Sequence, residues 1–104
     1  MKAEEGHLQQ QLTLAADYFI GRGVPRDFSQ SAYWYRRAAD QGDPNAQVEL
    51  GYLYRAGIGV QQSDVEAVRW YQRAAASGLA RAKLDLGVMY LKGAGVRQNT
   101  QEAI

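Results

Sequence analysis

Gly21-Arg22-Gly23-Val24, Gly57-Ile58-Gly59-Val60 and Gly93-Ala94-Gly95-Val96 are versions of one tetrapeptide, each 36 residues after the last. Working outward, other columns keep the same step: Leu14, Leu50 and Leu86; Tyr18, Tyr54 and Tyr90; Gly6, Gly42 and Gly78; Gly51 and Gly87. Trp34-Tyr35 matches Trp70-Tyr71, and Ala38-Ala39 matches Ala74-Ala75. Residues 7–42 and 43–78 agree at 12 of 36 positions, and 43–68 agrees with 79–104 at 10 of 26, so one unit recurs. A fixed period of this size is the signature of a solenoid of stacked units.

Each unit reads as two helices. In residues 43–78, Asp43 suits an N-cap and Pro44 the first helical position, where a missing N–H costs nothing. Ala46, Leu50, Leu53 and Tyr54 share a helical face, and Gly57 supplies the positive φ of a C-terminal cap. After a tight connector, a capping box opens the second helix: Asp27 with Gln30, Ser63 with Glu66, Asn99 with Glu102. Ala67, Trp70, Tyr71, Ala74 and Ala75 form its apolar stripe, and Gly78 closes it. Gly51, Gly87 and Ala15 sit in mid-helix, where Gly costs about 1 kcal/mol relative to Ala. Such a repeated cost predicts close helix approach, here against the Ala-Ala face of a second helix. Trp34 and Trp70 are expected to fill the gaps between units.

These residues resemble a Sel1-like repeat, the relative of the tetratricopeptide repeat with a longer internal loop. The matching run is Ala46-Gln47, Leu50-Gly51, Tyr54, Gly57, Gly59-Val60, Ala67, Trp70-Tyr71, Ala74-Ala75 and Gly78. The resemblance implies an all-α fold, a right-handed α-α superhelix of antiparallel helix pairs. It also implies protein binding and scaffolding, commonly in bacterial envelope, secretion or signalling pathways and in eukaryotic degradation machinery. The expected division is the tail of a preceding second helix at 1–6, repeats at 7–42 and 43–78, and an incomplete repeat at 79–104, as in a segment of a longer array. Repeat one departs from the pattern at Gln10, Ala15, Asp17 and Ser31, polar or small changes expected of a semi-exposed terminal unit.

Composition excludes several alternatives. The 104 residues carry 12 Lys and Arg against 11 Asp and Glu, with no basic cluster, which argues against nucleic-acid binding. Cys is absent and His7 is the sole histidine, so neither a disulfide framework nor a histidine–cysteine metal site is expected, and no cofactor. No apolar run reaches the roughly 20 residues of a membrane helix, so no membrane insertion is expected. The Gly-x-Gly-Val loops lack the third Gly, preceding strand and following helix of a dinucleotide fingerprint. Arg36, Arg37 and Arg73 lie late in second helices, where positive charge complements the helix dipole. No catalysis is expected, and the compartment of this soluble chain stays open between cytoplasm and periplasm or envelope.

A second face of the first helices carries the candidate site. Columns 48, 52 and 55 hold Leu12, Ala16 and Phe19, then Val48, Tyr52 and Arg55, then Leu84, Val88 and Leu91. They pack between successive first helices or form a concave groove for a partner peptide or helix. In the second case Phe19, Tyr52, Arg55, Val88 and Leu91 line the groove, while Gln9, Asn45, Arg81 and Lys92 flank it to hold carboxylates or backbone carbonyls. Three roles follow: an adaptor using this face; an assembly element associating with itself through open ends, including the surface near Ile104; and a glycan- or envelope-polymer-binding module using exposed tyrosines.

Overall fold

The computed structural model describes residues 2–94, with side chains from His7 onward. The described residues form helices only: α1 (Lys2–Ile20), α2 (Phe28–Asp40), α3 (Pro44–Ala56), α4 (Asp64–Ala76) and α5 (Ala80–Lys92). Successive helices pack on one another, α1 on α2, α2 on α3, α3 on α4 and α4 on α5, as short connectors require. The product is an all-α helical solenoid.

The ends of the helices follow from their capping residues. Asp27, Asp43 and Ser63 each accept the backbone N–H three residues on, at 3.1, 2.8 and 3.2 Å. Only this half of the capping box forms in α4: the Ser63 N–H donates to the Tyr54 carbonyl at 2.9 Å, and the Glu66 carboxylate pairs with Arg69 at 3.0 Å. The third box, Asn99 with Glu102, lies outside the described residues, as do Gly95 and Ile104. Gly57 caps α3 in the left-handed region at φ 71°. Gly6 behaves differently from Gly42 and Gly78. No break occurs there, and α1 runs on from Lys2 to Ile20 instead of ending a preceding helix. Leu8 stands where Pro44 and Ala80 open their helices, and here the helix runs through it.

The core forms in two clusters, each shared between units. Ala32, Ala38 and Ala39 of unit one meet Ala46, Leu50, Leu53 and Trp70 of unit two. Val48, Ala67, Val68, Tyr71 and Ala74 of unit two meet Ala82 and Met89 of unit three. Trp70 therefore fills the joint between units one and two, 3% exposed, with Arg36 and Arg73 at 5.3 and 4.6 Å from its ring centre. The mid-helix glycine has a different partner from the one expected. A Cβ on Gly51 would stand 2.7 Å from Cε1 of Tyr71 and 3.3 Å from the Ala67 carbonyl, so the close approach is within the unit and not to an Ala-Ala pair.

Repeat one is also drier than its sequence suggests. Ser31 is fully buried and donates its hydroxyl to the Ala15 carbonyl at 2.7 Å, and Ala15 is itself fully buried. A short hydroxyl with a carbonyl within reach can replace alanine in a core without leaving an unsatisfied group. Asp17 is half-buried and lies 3.8 Å from Arg22.

The loops dock between units. A Cβ on Gly59 would fall 2.1 Å from the Phe28 carbonyl oxygen and 3.1 Å from the Ser29 nitrogen, so the second loop rests on the first turn of α2. The matching Gly23 faces open space.

Candidate partner-binding groove

α3 and α5 are the first helices of adjacent units. They leave between them a groove of about 330 Å³, lined by Val48, Glu49, Tyr52, Arg55, Tyr71, Arg81 and Asp85. α3 supplies Val48, Glu49, Tyr52 and Arg55, α5 supplies Arg81 and Asp85 one turn apart, and α4 supplies Tyr71. Val48 is 1% exposed and belongs to the core, whereas Tyr52 is 39% exposed. Val48 thus helps hold units two and three together, and Tyr52 one turn further along presents its side chain to solvent.

Charge is distributed unevenly in this groove. Arg81 reaches back across the joint to donate to Glu49, and that bond raises its pKa. The Arg55 guanidinium lies 5.9 Å from the Tyr52 ring centre, a cation–π contact within one helix. Burial is the main cause that pushes the Tyr71 phenol up to about 12. Arg55 opposes the shift, Asp85 adds to it, Arg81 opposes it and Glu49 adds to it, the last two less strongly. Burial also raises the Tyr35 phenol, with Glu49 adding to the shift and Arg81 opposing it.

The expected site residues fall into separate places. Tyr52, Arg55 and Arg81 come together in the groove, with Arg81 already engaged by Glu49. Val88, 39% exposed, and Lys92 continue the side of α5 that carries Arg81 and Asp85. Leu91, 51% exposed, lies about 80° round the helix from Arg81 and borders the outer face with Leu84. Asn45 is exposed on the first turn of α3, and Gln9 is exposed on α1. Phe19 does not join them. It packs against the core of units one and two, its ring 5.2 Å from that of Phe28.

Sequence reading missed Glu49, Asp85 and Tyr71 as groove residues. A signal was present: Glu49 and Asp85 share a column, and Arg81 lies 32 residues after Glu49, one repeat less one helical turn. His7 is exposed and borders a second depression with Gln11, Arg37, Asp40 and Gln41. Among the described residues no group of acidic, histidine or cysteine side chains is placed to hold a metal ion. No helix among them is long and apolar enough to cross a membrane.

Comparison with known proteins agrees with this architecture. The chain superposes on the crystal structure of c5321, a protective antigen of uropathogenic Escherichia coli strains that displays an SLR fold, with a TM-score of 0.91 and 37% identity. That match covers 97% of this chain and 22% of the other. A Sel1 repeat protein from Oxalobacter formigenes matches with a TM-score of 0.88 and 35% identity, over 92% of this chain and 40% of that one. The chain thus spans less than half the length of either structure. The search of curated proteins found no match. The Sel1 repeat family matches at residues 12–43, 44–79 and 80–104, and with its loops, caps and helix pairs accounted for by that pattern, the chain belongs to the Sel1 repeat family.

Proposed function

We propose that this chain is a non-catalytic interaction module that captures a segment of another protein on the concave face formed by its first helices, in the groove between α3 and α5. Sel1 repeats generally mediate protein–protein interaction, which supports the class of function. The observation that carries the location is the open groove with exposed Tyr52 beside Arg55, two residue types that concentrate binding energy at interfaces. The test is photo-crosslinking with a benzophenone amino acid at position 52, compared with position 33 on α2, where Tyr33 is 51% exposed. Adducts with another protein at 52 and none at 33 support the reading. Adducts of equal yield at both sites overturn it.

A second reading has its own observation. Leu84 is 72% exposed, whereas Val48 in the same column of the preceding unit is 1% exposed beneath its neighbours. The outer face of α5 therefore presents an apolar surface of the kind the stack buries elsewhere, and self-association through it makes the chain an assembly element. Sedimentation velocity separates the two, since mass that grows with concentration and collapses in Leu84→Glu selects assembly over an adaptor.

A further inference from the structure

The groove's charges are unequally satisfied, and the imbalance defines the chemistry of its occupant. Arg81 is bonded to Glu49 and also feels Asp85, one turn along α5. Arg55 has no carboxylate within ion-pair distance among the described residues, and its guanidinium lies over the Tyr52 ring. Tyr71 is 1% exposed, and its hydroxyl has no hydrogen-bond partner among the described residues. The charges that act on this phenol are those of Arg55, Asp85, Arg81 and Glu49, so it sits on the floor they surround. Its raised pKa keeps it protonated and able to donate. One cation without a carboxylate and one phenol hydroxyl without a hydrogen-bond partner among the described residues thus line the same space.

We infer that the groove recognises a carboxylate, the side chain of a glutamate in an extended partner segment, held by the Arg55 guanidinium and the Tyr71 hydroxyl. This rests on reading the groove as the partner site, and it names the chemistry that site selects. Guanidinium and phenol together give a carboxylate an ion pair and two charge-assisted bonds, whereas an amide at the same place has no ion pair and only the guanidinium's charge to assist one bond. Asp85 repels an anion on the Arg81 side, so the carboxylate seats towards Arg55. Apolar residues flanking the glutamate lie against Tyr52 and along Val88.

The experiment uses the whole chain, labelled with nitrogen-15, and three tetrapeptides at millimolar concentration. They are acetyl-Leu-Glu-Leu-Leu-amide, its Gln counterpart as an amide, and the Gln counterpart with a free C-terminus. The readouts are the Arg55 Nε–Hε resonance and the backbone amides of α3 and α5. The Glu peptide should bind about tenfold more tightly than the Gln amide, the low end for a charged hydrogen bond at a half-buried site. Arg55→Gln should bring it to the level of the Gln amide, while Asp85→Asn should tighten it about two- to threefold. Opposite signs from two groove substitutions are not the outcome of a merely structural role. Equal affinities for the Glu peptide and the Gln amide overturn the carboxylate anchor and leave the groove standing. Tighter binding of the free-acid Gln peptide overturns the side-chain assignment. Silence from all three, or shifts confined to other surfaces, overturns the groove as well.

Discussion

Gly59→Ala and Gly23→Ala make the same chemical change at the same place in two successive loops, and the structure expects very different costs. Both glycines sit in the left-handed region, at φ +74° and +75°. Each substitution therefore carries a backbone cost of roughly 1–2 kcal/mol, offset by about 0.4–1 kcal/mol from a stiffer unfolded chain. Gly23→Ala ends there, because nothing lies within 4 Å of the new methyl. At Gly59 the methyl would fall 2.1 Å from the Phe28 carbonyl oxygen and 2.5 Å from its carbon, both backbone atoms at the start of α2. No rotamer change relieves a backbone clash, so the loop must lift off α2 and loosen the joint between units one and two. Overpacking of this kind costs typically about 1–3 kcal/mol more. The expected totals are about 1 kcal/mol for Gly23→Ala and about 3 kcal/mol for Gly59→Ala, a large part of the stability of a domain this size. Urea unfolding followed by circular dichroism and by tryptophan fluorescence measures both, Trp70 being buried in the joint concerned. Losses equal within about 0.5 kcal/mol would refute the claim that the second loop is an inter-unit contact.

Three further outcomes are expected. The Tyr71 phenol titrates near 12 in the fold and near 10 when unfolded, so stability present below pH 10 should decline as pH rises towards 12, and Tyr71→Phe should flatten that decline in pH-dependent urea melts. Ser31→Ala removes the hydroxyl bonded to the Ala15 carbonyl and should cost about 1 kcal/mol by chemical denaturation; no change would return repeat one to the status of a wet terminal unit. A double-mutant cycle on Glu49→Ala and Arg81→Ala should give a coupling below about 1 kcal/mol that shrinks with added salt, because both side chains remain substantially exposed.

The column that holds Arg55 shows how one position of the repeat takes different chemistry in successive units. The groove between α3 and α5 has an Arg55 that its counterpart column replaces with Phe19 in α1 and Leu91 in α5. Phe19 is drawn into packing with Phe28, while Arg55 stays at the surface over Tyr52. A single column thus packs against the core in one unit and lines an open groove in the next. That difference is chemical: a phenylalanine gains by burial, and a guanidinium loses its hydration unless a partner replaces it.

The sequence alone determined the helices, their caps and the period that stacks them. Those features are local, since a glycine at positive φ, an N-cap oxygen and an apolar stripe act within one or two turns of chain. It also placed Trp70 between units, because a large apolar side chain repeated on one face has nowhere else to be buried. What only the tertiary structure decided is the pairing across units. Arg81 and Glu49 are 32 residues apart, and their meeting depends on how far α5 slides along α3. Packing elsewhere in the stack sets Gly59 against the start of α2 while Gly23 faces open space, and buries Ser31 against α1 where the pattern suggested a wet face. Whether a polar residue faces solvent, core or partner depends on the neighbouring helix at that height. A one-dimensional pattern holds the face of each residue and not the distance between faces.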